Sequence, residues 1–181
     1  MEECIQAKEP AFYCFLIAKV FLIHGSLDPS PSIMEFAMNE IDTAVKNKLR
    51  AIYSETTIEH IIRPHNSESI PNPDGYAVWD SGCGERMKIW LRIRNNIVEE
   101  AGFWTNGCAA TVACGSMATD LVKGKNLTQA LAITAREIAD ALVDLPSGNF
   151  HCAELAAQTL KIALKDCLSM QQQPWKKLYR K

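Results

Sequence analysis

Three cysteines in this chain stand where thiolate chemistry is possible, each with a polar or glycine neighbour that leaves room for a ligand. Cys83 lies in Ser81-Gly82-Cys83-Gly84-Glu85, Cys108 follows Gly107, and Cys152 follows His151. Soft thiolates select zinc and iron–sulfur clusters over hard cations, and a histidine or carboxylate completes such ligand sets. Three Cys with one His or carboxylate supply four ligand positions, enough for a two-iron cluster or one tetrahedral zinc. There is no Cys-x-x-Cys pair, and the three cysteines are 25 and 44 positions apart. Taken alone, that spacing fits three unrelated buried thiols as well as one shared site.

The elements that must position these residues follow from periodicity. Tyr76–Asp80, Met87–Arg94 and Ile97–Thr105 have strand character. The middle one alternates Met87, Ile89, Leu91 and Ile93 against Lys88, Trp90, Arg92 and Arg94. Asn95-Asn96 suits a two-residue hairpin turn, since Asn tolerates positive φ. Ahead of the strands, Ser54 caps a helix carrying Ile58, Ile61 and Ile62, which stops at Arg63 before Pro64. Residues 64–75, rich in Pro, Asn and Ser, read as a loop. From Cys108 onward the pattern is helical, over 109–123, 127–133, 134–142 and 151–169. Strands followed by helices without alternation predict an α+β fold: a three-stranded antiparallel sheet with helices packed on one face. All three cysteines then sit at element ends. Cys108 and Cys152 fall at helix N-termini, where the partial positive charge favours a thiolate over a thiol.

Composition narrows the function classes. The chain has 181 residues, 48% of them hydrophobic and 22% charged, enough for one domain with its own core and an extension. A net charge of -2 gives no basic field for nucleic acid. Seven cysteines, an odd number in a chain without a secretory pattern at its start, argue against a disulfide framework. The apolar run at 11–23 is thirteen residues long and interrupted by Lys19, too short to span a membrane. The chain is therefore expected to be cytoplasmic, with no membrane contact.

Three regions are expected. Residues 1–50 form a helical N-terminal extension, with Phe12, Phe15, Leu16, Val20 and Ile23 on one apolar face and Ile33, Phe36, Ile41 and Val45 on another. Residues 51–169 form the main domain, and 170–181 a basic tail with Lys176, Lys177, Arg180 and Lys181. Cys4, Cys14, Cys114 and Cys167 take the reading of ordinary thiols. Cys114 lies about 240° round the helix from Cys108.

Four ordered motifs carry a resemblance. Tyr53-Ser54-Glu55 with His60, Pro64 and Asn66 comes first, then Cys83-Gly84-Glu85-x-Met87-Lys88. Phe103-x-Thr105-x-Gly107-Cys108-Ala109 continues through Ser116, Thr119 and Val122-Lys123-Gly124-Lys125, and His151-Cys152-Ala153-x-Leu155-Ala156 is last. Over about two thirds of the chain, residues 53–168, this resembles the iron–sulfur cluster assembly scaffold family of IscU and the N-terminal domain of NifU.

The resemblance implies the SufE/NifU-like fold and a scaffold rather than an enzyme. Cys83, Cys108, Cys152 and His151 would surround a transient [2Fe-2S] cluster or a zinc ion, and the Glu85 carboxylate would tune cluster lability. Sulfur would come as persulfide from a cysteine desulfurase, onto Cys152. Iron would arrive separately, and the cluster would pass to carrier or apo acceptor proteins. A homodimer is compatible with this reading.

Two departures matter. The family usually has Asp at the position of Glu85, and Glu85→Ala is expected to lengthen cluster lifetime. The family's chaperone-recognition motif reads here Leu145-Pro146-Ser147-Gly148-Asn149, so dependence on the dedicated Hsp70-type chaperone is not expected. Two further readings stand beside the scaffold: a zinc-bound, SufU-like sulfur acceptor, and a zinc-only regulatory relative. SufU-type chains usually lack the histidine and carry an insertion between the second and third cysteines. This chain keeps His151 and has no evident insertion.

Overall fold

In the computed structural model of the protein, residues 46–82, 84–143 and 145–172 are described. The chain divides into two compact units, Met1–Ala51 and Ile52–Lys181. Of the first, residues 46–49 are helical, and Arg50 donates a hydrogen bond to Asn47 Oδ1 at 3.0 Å. The helices expected over 12–45 and the tail from residue 173 lie outside the described residues.

The second unit runs α1 (Glu55–Ile62), β1 (Gly75–Asp80), β2 (Arg86–Arg94), β3 (Ile97–Thr105), α2 (Ala109–Val122), α3 (Leu127–Leu131), α4 (Ala135–Ala141) and α5 (Phe150–Gln172). A single turn of 3-10 helix, Ser147–Asn149, leads into α5. The strands form one antiparallel sheet in the order β1-β2-β3. The fold is therefore the α+β arrangement expected.

Its cause is the alternation in β2. Met87, Ile89 and Leu91 are fully buried under the helices, each contributing roughly 2 kcal/mol of apolar transfer. A bulge between Arg92 and Ile93 ends the alternation and leaves Ile93 half-buried. Asn95 and Asn96 take φ of 52° and 64°, as a tight hairpin turn requires. Helix α5 lies across β1 and β2, and α2 across β3 and α5. Their buried faces carry many small residues, Ala110, Ala113, Gly115 and Ala118 on α2 and Ala153, Ala156, Ala157 and Ala163 on α5, which let backbones approach closely.

Helix α1 is fastened at its start. The hydroxyls of Ser54 and Thr57 both donate to the carbonyl of Leu142, at 2.6 and 2.8 Å, where α4 ends. There Val143 takes φ 53°, a left-handed conformation that costs a β-branched residue about 1–3 kcal/mol. Helix α5 continues to Gln172 rather than stopping at 169, because Met170, Gln171 and Gln172 are good helix formers and the next proline is Pro174. Among the described residues, no helix is long and apolar enough to cross a membrane.

Candidate metal centre

Helix α2 begins at Cys108, which is its N-cap in extended conformation and makes no cap bond with its own side chain. The cap comes from β2 instead. Glu85, just before that strand, accepts the Cys108 backbone N–H on Oε1 at 2.9 Å. Its other oxygen, Oε2, accepts the Thr111 hydroxyl at 2.8 Å. The carboxylate thus does across 23 positions of chain what the third residue of a capping box does locally, and its charge faces the positive helix end. Thr111 Oγ1 also lies 3.4 Å from Cys108 Sγ.

Helix α5 supplies the opposite wall. His151 Nδ1 is 2.9 Å from the Gly148 carbonyl. A carbonyl only accepts, so Nδ1 holds the ring proton and Nε2 presents a lone pair. That nitrogen is 3.4 Å from Cys152 Sγ, and Cys152 Sγ is 3.9 Å from Cys108 Sγ. Donor atoms of Glu85, His151 and Cys152 lie within 4.8 Å of one another. Four of the five residues singled out from the sequence are therefore gathered at one place. Cys83 lies outside the described residues. The turn on either side of it is closed by Ser81 N donating to the Glu85 carbonyl at 2.7 Å and Gly84 N donating to the Ser81 carbonyl at 3.1 Å.

The two sulfurs stand close enough for one thiol to donate to the other. The Cys152 thiol donates toward Cys108, which with help from Thr111 brings the Cys108 thiol down to about 6 despite its partial burial. Cys152 is pushed far up, first because it holds that proton for Cys108 and then because it is buried. The contact works against having a thiolate at both helix N-termini at once. At 3.9 Å, two like charges repel more than one helix end stabilises either of them. Cys114 and Cys167 are buried in the core, and burial pushes the Cys114 thiol up.

An open cavity of about 470 Å³ adjoins the site, lined in part by Trp79, Gly82, His151, Glu154, Gln158 and Lys161. The donor set of sulfur, imidazole and carboxylate suits a soft or borderline metal and fits a tetrahedral zinc or a cluster iron. Sequence reasoning missed Thr111. Its position three residues after an N-cap was the available signal, but the Glu85 partner 26 positions away was not legible.

Removing the Glu85 carboxylate leaves the Cys108 N–H and the Thr111 hydroxyl without their acceptors. Glu85→Ala should lower the stability of the metal-free chain by about 2 kcal/mol, roughly 5–10 °C in Tm, read by thermal unfolding. A shift under about 2 °C would mean that water replaces the carboxylate at no cost.

The family model described as the NifU-like N terminal domain matches residues 52–173. The iron–sulfur cluster assembly scaffold protein IscU 1 of Archaeoglobus fulgidus is 40% identical over 116 residues, 64% of this chain and 76% of that protein. The scaffold protein IscU of Escherichia coli K12 is 38% identical over 119 residues, 63% of this chain and 92% of that one. Among solved structures, an N-terminal NifU-like protein from Brucella abortus has a TM-score of 0.52 at 17% identity, covering 65% of this chain and 95% of its own. A SufU protein from Fervidobacterium islandicum has a TM-score of 0.54 at 20% identity, covering 63% and 97%. At such identities the two structures speak for the fold alone.

Proposed function

Because this chain belongs to the NifU-like N-terminal domain family of iron–sulfur cluster assembly scaffolds, we propose that it builds a [2Fe-2S] cluster on Cys83, Cys108 and Cys152, with His151 as a further ligand, and passes it to acceptor proteins. The observation that carries this reading is the pair of sulfurs at 3.9 Å with an imidazole lone pair 3.4 Å from one of them. Two thiols and a neutral imidazole at that spacing present soft donors to iron with little rearrangement.

A cysteine desulfurase delivers the sulfur. The Cys152 thiolate attacks the outer sulfur of the enzyme's persulfide, giving a Cys152 persulfide and freeing the enzyme's thiol. As Cys152 attacks, its proton passes to a base at hand, the Cys108 sulfur at 3.9 Å or His151 Nε2 at 3.4 Å. Ferrous iron, on becoming ferric, supplies half of the electrons that reduce the sulfane sulfur to sulfide, and a thiol or ferredoxin reductant supplies the rest. The cluster is a product held on the protein until it is passed on, and in that sense the chain acts as a scaffold rather than an enzyme. The Glu85 oxygens that could meet an iron also accept the Cys108 N–H and the Thr111 hydroxyl, so the metal and those two hydrogen bonds draw on the same carboxylate. In this way the carboxylate tunes lability, and Glu85→Ala lengthens cluster lifetime even as it lowers the stability of the metal-free fold.

The test is anaerobic reconstitution with ferrous iron, cysteine, a desulfurase and a thiol reductant, followed by transfer to an apo-ferredoxin. Visible cluster absorption that moves to the ferredoxin is the expected result, with persulfide mapped to Cys152 when iron is omitted. Stoichiometric zinc with a persulfide and no cluster would establish the SufU-like role instead. Zinc with neither would make the chain a regulatory relative.

A further inference from the structure

A second group of ligand-type side chains lies at the far end of α2. His60 comes from the last turn of α1, His65 from the loop after it, and Asp120 from the last turn of α2. One donor atom from each falls within 4.8 Å of the others. Asp120 is twelve positions beyond Cys108, about 18 Å along the helix at 1.5 Å per residue. The group is therefore separate from the cysteine site.

Each of the three is held by hydrogen bonds. His60, almost fully buried, has Nδ1 2.7 Å from Ser116 Oγ, which leaves its other ring nitrogen as the donor. The same Ser116 oxygen accepts the backbone N–H of His65 at 2.8 Å, so one hydroxyl places both histidines. Their rings are tilted by 57° to one another, with centroids 4.7 Å apart. Asp120 Oδ1 accepts from the Asn66 amide at 2.8 Å, and Oδ2 pairs with His65 Nδ1 at 2.6 Å. Asn66 takes φ 59° to do this, and Lys123 donates to the Asn66 oxygen rather than to Asp120. Hydrogen-bonded backing of this kind is what fixes metal-ligating imidazoles and carboxylates in place.

We propose that His60, His65 and Asp120 form a second, thiolate-free site for a divalent transition-metal ion of the zinc or ferrous type. Two imidazoles and one carboxylate make a ligand set used for both ions, with the remaining positions open to water. Burial and the neighbouring His65 ring hold the His60 imidazole below its ordinary value, which keeps it in the neutral, ligating form. The side chains of His65 and Asp120 are 47% and 34% exposed, so an ion reaches the site from water. It takes the place of the proton between them, and their 2.6 Å contact opens to about 3.0–3.4 Å, the separation of neighbouring octahedral or tetrahedral ligands about 2.1 Å from a metal. The bound ion then ties the loop to α1 and α2 at once.

Cobalt(II) titration of the full chain separates the two sites. Cobalt at the cysteines gives intense thiolate-to-metal charge transfer, whereas cobalt on nitrogen and oxygen gives only weak visible bands. The expected result is a second equivalent of cobalt with weak bands alone, whose affinity falls about 10–100-fold in His65→Ala and in Asp120→Asn while the charge-transfer band is unchanged. His65 is exposed enough for its replacement to leave the fold intact, as far-UV circular dichroism would verify. Absence of a second equivalent, or one that His65→Ala leaves at full affinity, would overturn the proposal. Neither outcome bears on cluster assembly at the cysteines.

Discussion

A Cys108→Ser chain, given iron, cysteine, a desulfurase and reductant without oxygen, should develop no visible cluster absorption under conditions where the parent chain does. Structural zinc sites reach about 10–16 kcal/mol with four ligands, so one thiolate is worth roughly 3 kcal/mol or more, a loss above 100-fold in affinity. Serine cannot make up this difference, because its hydroxyl stays protonated where the Cys108 thiol titrates near 6. The fold should survive. Cys108 is half-buried, its cap bond to Glu85 uses the backbone N–H, and Thr111 keeps its own bond to the carboxylate. Serine at an N-cap is also a favoured residue. Thermal unfolding within about 3 °C of the parent, together with loss of the chromophore, would separate a ligand from a structural residue. A Cys108→Ser chain that still assembled a cluster at parental yield would remove Cys108 from the ligand set.

Much of this site was legible before any coordinates, and the reasons are local. The β2 alternation placed Met87, Ile89 and Leu91 inside, because period-two patterning is decided residue by residue. The turn at Asn95-Asn96 and the cap at Ser54 follow from side chains acting within three positions. Periodicity also put Cys108 and Cys152 at helix starts, where their sulfurs converge. What remained hidden depends on distances across the fold. The coupling between the Cys108 and Cys152 thiols follows from a 3.9 Å gap that no spacing of 44 positions reveals. The same holds for Glu85 capping α2, and for one Ser116 hydroxyl serving both His60 and the backbone of His65. The bulge after Arg92 was hidden for the opposite reason: the apolar pattern carries on to Ile93 while the backbone departs from it.

Gly75→Ala should be a damaging conservative substitution in the sheet, with a loss of about 2–3 kcal/mol and a fall in Tm of roughly 10 °C. Helix α5 crosses β1 at this residue with no room for a methyl group. A Cβ there would sit 2.1 Å from Cys167 Sγ and 2.5 Å from the Ala163 carbonyl oxygen. The sulfur can be trimmed, but the carbonyl belongs to the helix backbone and moves only if α5 moves. Cys167 and Ala163 are both buried, and the Tyr76 N–H of the adjacent position donates to Asp166 on the same helix at 2.8 Å. Lifting α5 therefore breaks a hydrogen bond as well as packing. The gain from restricting the unfolded chain, about 0.4–1 kcal/mol for glycine to alanine, does not offset this. A double-mutant cycle divides the two contacts. In a Cys167→Ala background the cost of Gly75→Ala should shrink by about 1 kcal/mol but stay clearly unfavourable, since the Ala163 oxygen remains. Full rescue would place the whole clash on the sulfur, and no loss in the single variant would mean that the helix rides loosely on β1. Helix α5 also carries His151 and Cys152 on its first turn, so a shift of the helix on β1 would be felt along the element that bears those side chains.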